Sequence, residues 1–347
     1  MSSPRPVRVA VLGATGAVGT EMLRVLEQRK FPVASLRALA SERSAGRRLP
    51  FAGGEVTVEP VGPASFQGID LAIFSAGATA SKQWAPIAVR SGATVVDNSS
   101  GWRTDPKVPL VVPEVNARAL EWHGGIIANP NCSTIKMVVA LKPLHDAAKI
   151  RRVIVSTYQA VSGKSGRAMA ELTEATRAVL DGRTPPAVLF PKPMGFNVSF
   201  DWPFAENGFT EEEMKMTKET VKIMEDTSIK VTATTARVPV YRGHAEAVYI
   251  ETERRLSAAA ARELLAKAPG VVVQDDPATK TWPSPREAEG RGEVFVGRIR
   301  EDHAQDRALW LWVVSDNLLK GAALNAVQIG EILLAKGMFK PKQPLFV

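Results

Sequence analysis

One cysteine among 347 residues leaves no internal disulfide to hold the fold. An unpaired thiol is safest in a reducing compartment, so the expectation is a cytoplasmic protein. Histidine is scarce as well: four are scattered along the chain, which supplies no clustered ligand set for zinc or another metal. No apolar run approaches the ~20 residues of a membrane-spanning helix. The opening Met1-Ser2-Ser3-Pro4-Arg5-Pro6 lacks the apolar core of a secretory signal. Basic runs interleaved with aromatics are also missing, although 44 Lys and Arg against 36 Asp and Glu give a net charge of +8. Nine of the basic residues fall within residues 1–50, against three glutamates there. Such an excess reads as a solvated basic face with a few cations suited to a phosphorylated ligand, and it ranks nucleic acid low. The expectation is a chain with no metal, no membrane and no nucleic-acid partner.

What is present is a globular composition, 45% hydrophobic and 23% charged, at a length that favours two domains. From Val7 to Asn131 short apolar runs alternate with amphipathic or turn segments, as in a parallel sheet with crossover helices. Strands are expected at Val7–Leu12, Leu36–Ala40, Leu71–Ser75, Thr94–Asp97 and Ile126–Asn129, with a first helix marked by Val18, Met22, Val25 and Leu26. After about residue 150 the strands lengthen, at Val153–Tyr158, Val231–Val240 and Ala247–Thr252. They are separated by helices at Arg167–Leu180, Glu211–Glu225 and Ala258–Lys267, the last capped by Ser257. Pro185–Pro193 and Trp282–Pro285 read as loops, and a closing helix is expected over roughly Gly321–Lys336. The fold class is α/β: a Rossmann-type parallel sheet domain followed by a second α+β domain with a mixed or antiparallel sheet. The division is placed at 1–131 plus about 318–347 for the first domain and 132–317 for the second.

Gly13-Ala14-Thr15-Gly16-Ala17-Val18-Gly19 follows an apolar strand and opens a helix, the context that turns a glycine spacing into a dinucleotide site. Glycines allow the tight turn and let backbone N–H groups approach a pyrophosphate at the positive helix end. The same spacing also serves close packing alone, but the dinucleotide reading is favoured. The second strand ends in Ser41-Glu42-Arg43-Ser44-Ala45-Gly46-Arg47. Arg43 and Ser44 suit a ribose 2′-phosphate and therefore NADP, whereas Glu42 facing the ribose would reverse the preference to NAD.

Asn129-Pro130-Asn131-Cys132-Ser133-Thr134 joins a buried strand to a helix whose apolar face begins at Ile135, Val138 and Val139. Cys132 thereby stands at a helix N-terminus, where the dipole favours thiolate and nearby N–H groups suit an oxyanion. The plain alternative is a buried packing cysteine, which the polar approach disfavours. A thiolate that takes up an acyl group needs a proton donor and acceptor. His123, His145 and His303 lie in charged or loop-like surroundings, while His244 occupies a tight turn, Arg242-Gly243-His244-Ala245-Glu246, between two strands. A turn histidine is as readily a solvent-exposed group as a proton carrier, and the local sequence leaves both open.

Together these segments resemble the aspartate-semialdehyde dehydrogenase family over nearly the whole chain. The resemblance is carried, in order, by Gly13–Gly19, Arg43–Gly46, Asp97–Ser100, Asn129–Cys132, Tyr158–Gly163, Glu212–Met216, Arg237–Val240 and Asp316–Leu318. It implies reduction of L-aspartyl 4-phosphate with NADPH to aspartate semialdehyde and phosphate, on the route to lysine, methionine and threonine. It also implies that the second domain carries catalysis and dimerisation, in a homodimer or homotetramer. By resemblance Cys132 is the nucleophile that forms a thioester, His244 returns the proton that lets the aldehyde leave, Gln159 orients the substrate and Asn131 polarises its carbonyl. Arg237 matches the clamp for the substrate carboxylate, Arg103 and Lys215 the cations that receive phosphate, and Glu212 the acid for the ammonium. On residues alone, Glu212 and Lys215 would be an exposed i,i+3 pair on a helix. Carried-over cofactor contacts are Thr15, Gly16, Ala17, Val18, Arg43, Ser44, Ser162, Gly163 and Asn317. Two segments depart from the pattern: Ala245 replaces a serine after the histidine, with looser support of His244 as the expected result, and Ser199-Phe200-Asp201-Trp202 differs throughout. The rival readings are an N-acetyl-glutamyl-phosphate reductase, a cysteine hydrolase built on Cys132 and His244, and a dinucleotide-sensing regulator without catalysis.

Overall fold

A computed structural model describes residues 5–340 and 344–346. The segment 1–4, on which much of the leader reading rests, lies outside the described residues, as do 341–343 and 347. The chain divides into two compact units, one of residues 1–131 with 322–347 and one of residues 132–321.

In the first unit the strands are β1 (Val7–Leu12), β2 (Val33–Ala40), β3 (Arg48–Phe51), β4 (Gly54–Pro60), β5 (Leu71–Phe74), β6 (Thr94–Asp97) and β7 (Ile126–Ala128). Among the described residues they form one sheet in the order β3-β4-β2-β1-β5-β6-β7, parallel throughout except for the β3–β4 pair. The chain leaves β1 for β2 on one side and later returns to β5 on the other. β1 is therefore the switch point, beyond whose carboxyl end open α/β sheets bind their ligands. Strands β5, β6 and β7 are buried at every position, as sheets covered on both faces require. The helix Ala17–Gln28 buries Met22, Leu23, Val25 and Leu26, and Arg29 just beyond it pairs with Glu331 of the closing helix Leu324–Ala335 at 2.6 Å.

The expected strand Leu36–Ala40 begins three residues earlier, at Val33, the closing helix begins at Leu324 rather than Gly321, and one further element is added. The segment after β2 is a single 3₁₀ turn, Glu42–Ser44, followed by an antiparallel hairpin, β3–β4, that the sequence reading missed. Its two-residue turn, Ala52-Gly53, has φ of 53° and 76°, the left-handed pair that matches the twist of a tight hairpin. Alanine carries that conformation without the usual Asn-Gly signal.

The second unit has β8 (Ile150–Gln159), β9 (Lys230–Arg237), β10 (His244–Thr252), β11 (Val271–Val273), β12 (Val294–Glu301) and β13 (Ala308–Ser315). They form a mixed sheet in the order β11-β12-β13-β10-β8-β9, with β8–β9 and β11–β12 parallel and the other pairs antiparallel. The helix Cys132–Ala148 lies on this sheet and packs against the helix Glu211–Met224. Expected strand Val231–Val240 stops at Arg237: the Val238 N–H still donates to the Gln159 carbonyl at 3.0 Å, but Pro239 has no N–H with which to continue a ladder. Pro285, expected in a loop, instead opens the short helix Pro285–Ala288, a first-turn position where its missing N–H costs nothing. The expected helix Glu211–Glu225 ends one residue early, with Glu225 left-handed at φ 53°.

Candidate active site

Within the first unit, the glycine loop leaves the carboxyl end of β1. Gly13 has φ +86°, and a Cβ there would stand 2.4 Å from the Ser75 carbonyl oxygen; one on Gly19 would stand 2.1 Å from the Gly13 carbonyl oxygen. Neither position tolerates a side chain. Gly16 caps the helix Ala17–Gln28 with no side-chain hydrogen bond and no acidic residue in the first turn, so the positive end is left to an anion. Thr15 Oγ1 donates to Ser44 Oγ at 3.5 Å, which brings the loop and the 3₁₀ turn together. Glu42 and Arg43 are both exposed on that turn and Ser44 is half-buried. These groups fit a dinucleotide: a backbone cradle for pyrophosphate, then hydroxyls and a guanidinium at the ribose end.

Arg103 is buried in the same unit, its Nε donating to the Asn129 carbonyl at 2.9 Å and its Nη2 to the Asn98 carbonyl at 2.8 Å. Asn129 is itself held by Asn98 Oδ1 and by Asn325 Nδ2. That web fixes the polar segment that ends at the buried Asn131.

The second unit holds the remaining candidates. Cys132 is the first residue of its helix and half-buried, so it is not a cysteine packed into an apolar core. Gly321 passes so close that a Cβ there would lie 2.9 Å from Cys132 Cβ.

His244 opens β10 rather than sitting in the turn before it, and it is wholly buried; the solvent-exposed reading is excluded. Its Nδ1 accepts the Ala160 N–H at 3.0 Å, which leaves the proton of the neutral ring on Nε2. That Nε2 is buried without a hydrogen-bond partner among the described residues. A Cβ built on Gly163 would lie 3.3 Å from it and 3.1 Å from Arg237 Nη1, so glycine keeps both groups open to a common point. Burial, and then the charges of Lys136 and Arg237, hold the imidazole well below its ordinary pKa.

Arg237 ends β9. Its Nη1 donates to the Ala160 carbonyl at 2.9 Å, its Nε to Asp201 Oδ1 at 3.2 Å, and its guanidinium lies 4.4 Å from the centre of the Trp202 ring. Asp201 also pairs with Lys164 at 3.0 Å. The departing segment Ser199–Trp202 is thus what braces this arginine, a role the sequence reading did not assign.

Gln159 ends β8, where its Nε2 donates to Thr157 Oγ1 at 3.3 Å and to Glu212 Oε1 at 3.4 Å. Glu212 is buried, with Lys215 Nζ 3.4 Å from its other oxygen. The exposed-pair reading therefore fails for Glu212, whose carboxylate faces a buried amide. Ser162 and Asn317 meet at 3.0 Å, and Asn317 Oδ1 also accepts the Gly243 N–H at 2.8 Å. Asn317 thereby braces the turn that delivers His244.

Ala245 does not loosen His244. Successive strand residues face opposite ways, and Ala245 packs with Ala288, Phe295 and Val314 on the far face. Sequence reasoning also passed over Lys136 and Glu246, which meet at 2.8 Å wholly out of solvent. A lysine on the otherwise apolar helix stripe with Val139 was the available signal.

His123 and His145 are elsewhere. His123 is buried in the first unit with Nε2 2.8 Å from the Met338 carbonyl, and His145 lies beside Asp226 on the second.

Residues 8–123 match the family model described as semialdehyde dehydrogenase, NAD binding domain, and residues 141–320 the one described as semialdehyde dehydrogenase, dimerisation domain. Fold and site thus define a semialdehyde dehydrogenase, an oxidoreductase with a dinucleotide-binding sheet and a mixed-sheet partner. Among curated relatives, aspartate-semialdehyde dehydrogenase of Aquifex aeolicus is 54% identical over 337 residues, covering 95% of this chain and 99% of the relative. The Bacillus subtilis enzyme of that name is 49% identical, covering 95% and 98%. Among solved structures, aspartate semialdehyde dehydrogenase II of Vibrio cholerae complexed with ASA superposes with TM-score 0.92 at 45% identity, over 95% of this chain and 99% of that one. The Candida albicans enzyme with NADP gives TM-score 0.76 at 28% identity, covering 96% and 100%. The chain belongs to the aspartate-semialdehyde dehydrogenase family.

Proposed function

We propose that the chain converts L-aspartyl 4-phosphate to L-aspartate 4-semialdehyde and phosphate with NADPH, through a thioester on Cys132, in the cytoplasm. The observation that carries the chemistry is the convergence on Gly163 of Arg237 Nη1 and of His244 Nε2, the latter without a hydrogen-bond partner among the described residues. Cys132 Sγ, as thiolate at the helix start, attacks the acyl carbon; the C–S bond forms and the C–O bond to phosphate breaks. Thr15, Gly16, Ala17 and Val18 would hold the pyrophosphate of NADPH, Arg43 and Ser44 its ribose, and Ser162, Gly163 and Asn317 are the family-pattern residues for the nicotinamide; the bound cofactor would supply the hydride that the thioester requires. His244 holds a proton at Nε2. Its Nε2–H bonds the oxyanion while the carbon is tetrahedral; as the oxyanion of the thiohemiacetal re-forms the carbonyl, the C–S bond breaks, the aldehyde leaves and Nε2–H bonds the departing Cys132 thiolate. Asn131 and Gln159 orient the reacting carbonyl without adding charge.

Arg237, pre-set by Asp201, Trp202 and Ala160, takes the substrate carboxylate, for which a planar guanidinium is suited. Glu212 takes the ammonium, and Arg103 and Lys215 receive the phosphate. A buried carboxylate beside Gln159 favours a substrate with a free ammonium over an acetylated one. The reverse reaction tests the assignment: with NADP and phosphate, aspartate semialdehyde is oxidised and N-acetyl-glutamate semialdehyde is not. Turnover of the acetylated compound alone would overturn it.

The outward face of the second sheet supports a homodimer. Trp312 is half-buried there beside Tyr158, which is 41% exposed on an otherwise regular strand, and Trp310 is half-buried beside Tyr249. The match of this unit to a dimerisation domain supports the same reading.

A further inference from the structure

Beneath Cys132 and His244 lies a pair of opposite charges for which the reaction above has no use. Lys136 stands one turn after Cys132 on the same side of the helix Cys132–Ala148. Glu246 stands two residues after His244 on the same face of β10. Lys136 Nζ and Glu246 Oε1 meet at 2.8 Å, and both side chains are wholly out of solvent. No further hydrogen-bond partner among the described residues holds either end. A buried ion pair this poorly satisfied contributes little stability, because desolvation consumes most of the attraction. Its effect has to be sought in the field it casts on its neighbours.

We propose that Lys136 and Glu246 are positioning residues for charge: the Lys136 ammonium holds the Cys132 sulfur as thiolate and His244 as neutral imidazole, and Glu246 sets how much of that field reaches them. The proposal rests on the assignment of Cys132 and His244 to the chemistry. Lys136 adds to the helix terminus in favouring an anion at Cys132, and it opposes a cation at His244. Burial pushes Glu246 up to about 7 against the attraction of Lys136. As pH falls toward neutrality the carboxylate takes up a proton, Lys136 is left uncompensated, and the thiolate is favoured where it would otherwise be lost.

Of the other charged groups, Arg237 at the end of β9 bears on His244, the charge that bears on Glu246 is Lys136, and the helix Glu211–Met224, packed against the helix that carries Lys136, buries Glu212, Glu213 and Glu219. Beside Glu246 the sheet offers Thr157 and Val313, and the helix Ala258–Lys267 buries Ala261 and Leu265, none of them charged. All of these are common to the variants below, so they leave the sign of each shift unchanged.

Cys132 is the only thiol, so the pH dependence of iodoacetamide incorporation reads its ionisation alone and needs no turnover. Glu246→Gln should lower the midpoint and Lys136→Met should raise it, each by about one pH unit, or about tenfold in alkylation rate at a fixed intermediate pH. The acid limb of kcat/KM should move in the same order, and the double variant K136M/E246Q should fall between the single ones. Single variants that shift the same way, or that lower the melting temperature with no shift, would show the pair to be structural only and overturn the proposal. If the unpaired ammonium in E246Q prevents folding, wild type against K136M/E246Q decides: the double variant should alkylate at higher pH, and equal midpoints would sink the idea. Wild-type enzyme that keeps its turnover after alkylation would instead refute the thioester reading while leaving the midpoint order intact.

Discussion

Arg237 shows how a single residue is prepared for a substrate before one arrives. Ala160 fixes Nη1, Asp201 fixes Nε and Trp202 covers a face, so little side-chain entropy remains to be lost when a carboxylate binds. Asp201→Ala should therefore raise KM for aspartate semialdehyde by roughly tenfold with kcat nearly unchanged, the pattern of lost uniform binding. Steady-state kinetics decide, and an unchanged KM would remove Asp201 from the account. Cys132→Ala separates roles differently. It should abolish turnover while NADPH still binds, measured by fluorescence titration, because the glycine loop belongs to the other unit. At the ribose end Arg43 and Glu42 compete. Arg43→Ala should weaken NADPH by about tenfold, some 1.4 kcal/mol, and leave NADH unaffected. The opposite preference would hand the ribose to Glu42.

At the scale of elements, the helix Glu211–Met224 shows how a cap positions chemistry. Thr210 Oγ1 accepts from the Glu213 N–H, and Glu213 Oε2 accepts from the Thr210 N–H at 2.7 Å. The other Glu213 oxygen accepts the Thr235 N–H from β9, which ties the helix start to the sheet. Thr210→Ala should cost about 1 kcal/mol in chemical denaturation and raise KM through Glu212 and Lys215, which ride on that first turn. An unchanged KM would show that Glu212 is held by Gln159 alone. The same elements show what was legible beforehand. Strands β1 and β6 read at their true ends because apolar runs stop at turn residues, and the caps at Ser257 and the glycine loop are local signals. Hairpin β3–β4 was hidden, since Leu49, Val56 and Val58 are too few to establish a period and its turn lacks Asn-Gly. Burial was harder still. Neither the burial of His244 nor that of Glu212 follows from neighbours in sequence, because their hydrogen-bond partners lie more than 80 residues away in one case and more than 50 in the other.

For the whole molecule, the buried imidazoles set a pH dependence whose sign can be worked out. His123, His145 and His244 all have pKa values held below the ordinary 6.5, in each case chiefly by burial. As pH falls through 6.5 the unfolded chain therefore gains protons at these three sites sooner than the native state does, and each site lowers stability until its native imidazole titrates. Glu246 works the other way. Its native value near 7 stands above the ordinary 4.5, so between those limits the native state keeps a proton that the unfolded chain releases. Asp97, also raised above its ordinary value by burial, works with Glu246; each group contributes at most about 1.4 kcal/mol per pH unit, and three imidazoles outweigh two carboxyls. Asp70, Asp276 and Asp302 lie below the ordinary 3.8, so their contribution is lost only in stronger acid, beneath the range in which the imidazoles act against Glu246 and Asp97. Melting temperature should fall by a few degrees from pH 7.5 to 5.5, and His145→Gln should flatten that slope by removing one of the three protons. A melting temperature that stays level across the window would show that the imidazoles accept their protons inside the fold, which would also overturn the neutral His244 on which the Nε2–H bond to the oxyanion depends.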